Sequence, residues 1–218
     1  MLKDAQGLEV STDSYEAVDA ISSFTNQALS YGKEALNAVK TGLLSDPTCA
    51  ILHAYAAAYF LSQENEQARK QAICYLQAAI KHSGNITERE KLYIKAISAW
   101  AIKKIDVAIA LHETITDKYP CDLVSVQQGQ YHYFYLGDKK KLLNIAQKVL
   151  PQNKDNHFLY GMLAFGLEQC HQLEQAEAMG RAATKINRND PWAHHAVAHV
   201  METQARIDEG IAWMEGLA

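Results

Sequence analysis

Apolar residues recur along this chain at spacings of three and four, and hardly anywhere at two. That period predicts helices throughout and almost no strand. The stops fall where helices should end. Asp46-Pro47 opens a helix, Thr87-Glu88-Arg89-Glu90 reads as a capping box, and Gly137 closes a helix. Leu150-Pro151 stops another, and Asn189-Asp190-Pro191 caps the start of a late one. The pattern predicts about twelve helices, near 14–30, 31–44, 47–62, 65–82, 88–103, 105–118, 121–136, 138–150, 155–170, 173–186, 190–204 and 208–217. The loops between them are short, so sequence neighbours should pack as antiparallel pairs.

A beat underlies the pairs. Ala108, Leu142, Ala176 and Gly210 are 34 residues apart, all small or apolar, each near the opening of the second helix of a pair. A repeat of that length, built of helix pairs, predicts an all-α, right-handed α-solenoid of the tetratricopeptide type. We expect one domain over 1–218, with residues 1–13 as a poorly ordered arm. A solenoid offers an extended wall rather than a pocket built around one reaction.

Composition narrows the partners. The 218 residues are 48% hydrophobic, with 4 prolines and 11 glycines, which permits long helices and a continuous core. A net charge of −4 lacks the basic stripe of a phosphate-backbone binder, so no nucleic-acid partner is expected. The run Lys139-Lys140-Lys141 reads as a solvated helix face. No segment approaches the roughly 18 apolar residues of a membrane span, and no membrane partner is expected. Met1–Tyr15 carries Asp4, Glu9 and Asp13 and does not read as a signal peptide. Cys49, Cys74, Cys121 and Cys170 form no Cys-x-x-Cys clip, which fits a reduced, cytoplasmic chain.

The repeat register gives candidate contact residues. With the beat residue at repeat position 20, the first helix of each pair turns Tyr93, Ile97 and Trp100, then Tyr131 and Phe134, then Phe165 and Glu168, toward a concave groove. The last repeat adds His195, His199 and Glu202 on one stripe, because spacings of four and three keep one helix face. An aromatic stripe with a His/Glu end suits a protein or peptide partner, or a second copy of the chain. On this reading there is no cofactor and no chemical step. The alternative reading gives His195, His199 and Glu202 to a divalent metal or a small molecule, which makes the chain a binding protein or an enzyme. His-x-x-x-His here lacks the embedded glutamate of a zincin, and no Gly-rich phosphate loop or activated nucleophile is present. A third use is self-association through Trp213, Met214 and Leu217.

The stretch from Tyr160 to Met214 contains GMLAFGLEQ, QAEAMGRAA, DPWAHHAVAHV and EGIAW in order, with TEREKLYIKAISAW and PCDL upstream. It resembles the tetratricopeptide repeat protein 38 family over roughly residues 28–214. The resemblance implies a helical solenoid and no settled catalytic activity. It also implies further Trp- and His-containing helices beyond Ala218, so the chain is expected to be a piece of a longer protein or a short relative.

Overall fold

The computed structural model describes residues 1–217; Ala218, the last residue of the expected domain, lies outside the described residues. A short hairpin comes first: β1 (Leu2–Lys3) pairs antiparallel with β2 (Glu9–Val10), Leu2 opposite Val10. Twelve α-helices follow among the described residues. They are α1 (Tyr15–Leu29), α2 (Ala35–Ser45), α3 (Ala50–Leu61), α4 (Glu66–Lys81), α5 (Glu88–Ala101) and α6 (Ile105–Lys118). Then come α7 (Leu123–Leu136), α8 (Lys139–Gln147), α9 (His157–Gln169), α10 (Leu173–Ile186), α11 (Pro191–Thr203) and α12 (Ile207–Glu215). Consecutive helices pair as the pattern predicts. The architecture is that of a tetratricopeptide-like α-solenoid.

Two compact units form, residues 1–125 and 126–217, with the boundary inside α7. In the first unit the core runs from Val10 through Phe24, Tyr55, Tyr93 and Ile97 to Val124. Tyr55 stacks on Phe24 at 4.4 Å and meets Tyr93 edge-on at 5.2 Å. In the second unit Gln130 stitches three helices together. Its Nε2 donates to the carbonyls of Leu142 on α8 (3.0 Å) and Met162 on α9 (3.1 Å), so one buried amide satisfies two main-chain acceptors.

The 34-residue beat has a main-chain cause. Lys103, Gly137, His171 and Ala205 each adopt positive φ (62°, 71°, 60° and 56°), and each ends the first helix of a pair. At all four, the residue's N–H and the next one's close back on carbonyls of the helix just ended, for example His171 to Glu168 and Gln172 to Leu167. This left-handed stop satisfies carbonyls that the helix end would orphan. Caps keep the same period: Asp122, Asn156 and Asp190 each accept a first-turn N–H, at 3.0, 3.1 and 3.0 Å.

Residues 1–13 are not the poorly ordered arm expected from sequence. Asp4 Oδ1 accepts from the N–H groups of Gln6 and Leu8, closing the turn, and Gly7 takes φ +78°. Val10 is fully buried. Ser11 then binds both oxygens of Glu90, the capping-box residue of α5, at 3.0 and 2.5 Å, and Arg89 donates to the Glu9 carbonyl at 3.2 Å. The segment is too short and polar to show a strand period. Its order comes from α5, a partner some 80 residues away in sequence.

Candidate interaction wall

The second unit carries a connected aromatic wall on the first helices of its pairs. On α7, Tyr131 lies 4.7 Å from Tyr135, and Phe134 lies 5.7 Å from Phe165 on α9. Phe165 in turn meets Trp192 at 4.8 Å and His195 at 5.8 Å, both on α11. The imidazoles of His195 and His199 stack at 4.2 Å, and His199 Nδ1 is 3.7 Å from the Glu168 carboxylate. Phe165, 5% exposed, is the floor; Phe134, 47% exposed, stands up from it. His195 is exposed, and Tyr131, Trp192 and His199 are half-buried. Burial against Phe165 lowers the His195 pKa, and the neighbouring His199 lowers it further.

Local sequence explains the placement. Gly161 lets α9 approach α11: a β-carbon there would fall 2.6 Å from Asp190 Oδ1 and 2.9 Å from Trp192 Cβ. Asp190 caps α11 through the Ala193 N–H and also takes the His157 imidazole at 2.8 Å. The start of α11 is thereby fixed from two sides, and Trp192 with it.

The first unit places its candidates differently. Tyr93 and Ile97 are fully buried, Tyr93 between Tyr55 and the His112 ring at 6.1 Å. They are core residues of α5 facing α3 rather than an open stripe. At spacing four they fall on the side where the preceding pair packs. Trp100 is half-buried and leans on the same core.

His195, His199 and Glu202 are not assembled as a ligand set. The carboxylate beside His199 is Glu168 of α9, while Glu202 is exposed one turn further along α11. Among the described residues no group of three or more His, Cys, Asp or Glu is arranged to hold a metal ion. Helical spacing brought the two imidazoles together and could not tell which carboxylate faces them. The thiols at Cys49, Cys74, Cys121 and Cys170 are all free; Cys49 is buried, which pushes its pKa up to about 12, and Cys74 is exposed. No helix is long and apolar enough to cross a membrane.

Sequence reasoning missed an open cleft of about 390 Å³ beside the wall, lined by α11 and α12. Its signal was in plain view, as Ile207, Ile211 and Met214 lie at one helical spacing.

No family model matches the chain. Among solved structures, the fold is similar to MamA from Desulfovibrio magneticus RS-1, residues 41 to the end. The TM-score is 0.52 at 13% identity, over 76% of this chain and 93% of that one. A MamA RS-1 ArsTM double mutant matches with TM-score 0.52 and 13% identity, over 76% and 92%. At such identity the likeness establishes the fold, a helical repeat of the tetratricopeptide-like class.

Proposed function

We propose that the chain is a protein-interaction scaffold, and that the wall of Tyr131, Phe134, Phe165, Trp192, His195 and His199 receives a segment of a partner protein. The observation that carries this is the standing Phe134 over a Phe165 floor, continuous with Trp192 and His195. Soluble surfaces seldom leave connected aromatic rings half open unless something covers them. Capture proceeds by burying apolar area, with the Glu168–His199 end fixing orientation, and it needs no cofactor and no bond-making step. The partner is a protein or peptide, a second copy included, and we place the chain in the cytoplasm. The resemblance of residues 160–214 to the tetratricopeptide repeat protein 38 family, which implies a helical solenoid, fits this reading.

The test is partner capture by the full chain against a Tyr131→Ala/Phe134→Ala variant of unchanged helicity. Loss of the captured species in the variant supports the wall. Equal capture by both rejects it.

A further inference from the structure

The turn of the N-terminal hairpin brings a carboxylate into the first unit without giving it a counter-charge. Asp4 is 7% exposed. Its Oδ1 accepts the Gln6 and Leu8 amides, both at 2.9 Å. Its Oδ2 is buried and has no hydrogen-bond partner among the described residues. Arg89, also buried, is already engaged. It donates to Asp122 at 3.0 Å and to the Glu9 carbonyl at 3.2 Å, and forms no ion pair with Asp4. Its Nε is buried and unpartnered as well. Two desolvated carboxylates thus share one guanidinium.

The other groups around the hairpin do not relieve this. Tyr55 of α3 is a phenol that burial keeps protonated. Helix α1 contributes a hydroxyl, Ser22, which takes the Ala5 amide at 3.0 Å. Glu90 of α5 is turned to Ser11 and Thr87, and Asp46, ahead of α3, is turned to Thr12. Lys3 and Glu9 of the hairpin itself are exposed. Burial raises the Asp4 pKa; the Leu8 amide, the Arg89 charge and the Gln6 amide oppose that rise, and Asp122 adds to it.

We propose that the N-terminal hairpin is a latch tightened by acid: it grips α5 firmly when Asp4 is neutral and loosens when Asp4 is ionised. The geometry accommodates both forms. A proton on Oδ2 leaves Oδ1 accepting both amides, so the turn persists, and it removes a buried charge that no partner offsets. The sign follows from where the proton is held. Above the unfolded value of 3.8 the docked hairpin keeps a proton that the opened, solvated hairpin releases, so docking weakens as pH rises. Lifting the latch takes Ser11 off Glu90 and the Glu9 carbonyl off Arg89, and it vacates the buried place of Val10. All of these groups belong to the first unit, and none depends on the aromatic wall.

The test follows amide hydrogen exchange in the full chain by nuclear magnetic resonance, expressed as protection factors so that the intrinsic pH dependence of exchange is removed. Leu8 and Ser11 report the hairpin, and Leu52 of α3 reports the core. Protection at Leu8 and Ser11 should rise severalfold from about pH 7.5 to about pH 5, and Leu52 should not follow. Asp4→Asn keeps an oxygen acceptor in the turn and removes the charge. It should raise Leu8 and Ser11 protection at neutral pH and make it independent of pH, with the far-ultraviolet circular dichroism unchanged. Asp4→Ser, a second neutral acceptor, should behave alike and serves if the first variant does not fold. A flat wild-type profile, a profile that falls in acid, or the same rise in the neutral variants overturns the proposal. So does lower protection in the neutral variants at neutral pH, which would make the Asp4 charge a stabilising one.

Discussion

Arg89 and Asp122 form a buried ion pair at 3.0 Å, 33 residues apart, tying the first turn of α5 to the start of α7. The same offset joins His157 to Asp190 in the second unit. In both, a cation-capable side chain from one first helix meets the aspartate that caps the next. Asp122 holds the Ser125 N–H with its other oxygen, and Arg89 also holds the hairpin at Glu9. Arg89→Ala strands a desolvated carboxylate, so it should cost about 3–5 kcal/mol in chemical denaturation. Arg89→Met/Asp122→Leu should cost clearly less, because no lone charge remains; a double variant as unstable as the single one would contradict this.

His132, 2% exposed on α7, has its pKa pushed down to about 4 by burial. Its unfolded value is near 6.5, so between those limits the unfolded chain binds the extra proton. Stability therefore falls as pH drops from about 6.5 toward 4, by up to about 3 kcal/mol from this group. His132→Leu should flatten that part of the pH–stability curve. A slope unchanged by the substitution would assign the loss to other groups, with His53 and His195, both shifted down by burial, next in line.

The left-handed helix stops set up a reciprocal pair of substitutions. Ala205 sits at φ 56° with a β-carbon that disfavours it, while Gly137 sits at φ 71° with none. Ala205→Gly should stabilise by up to about 1 kcal/mol, and Gly137→Ala should destabilise by about 1 kcal/mol. Thermal melts showing the same sign for both would mean these turns are not left-handed.

Two helix glycines differ in the room around them. A β-carbon at Gly180 would lie 2.5 Å from Val197 Cγ2, whereas one at Gly210 would lie 3.5 Å from Met201 Cβ. Gly180→Ala should overpack the α10–α11 crossing and cost about 1–3 kcal/mol. Gly210→Ala should gain up to about 1 kcal/mol from helix propensity. Matching melting shifts in the two variants would show that the crossing is looser than these distances.

The beat was readable because it is local. Gly137 and the capping box of Thr87 and Glu90 each act within one turn, and the capping box forms as the residues indicate. The helix spans of α6 and α10 were legible to the residue. Long-range choices were not legible. Nothing near Ser11 announces Glu90, and nothing near Tyr93 says that α3 covers it. At the candidate site, periodicity found His195, His199, Phe134 and Phe165, all on the wall. It failed for the carboxylate because Glu168 and Glu202 are equally well spaced in sequence, and only the packing of α9 on α11 brings one of them to His199.

Site-specific photo-crosslinking with a partner present tests the central claim most directly. Benzophenone side chains at Phe134, at His195 and at Gln175 on the exposed face of α10 sample first and second helices. Partner adducts are expected at 134 and 195 and none at 175. Adducts at 175 with 134 and 195 silent would contradict it, since the partner would then lie on the second helices.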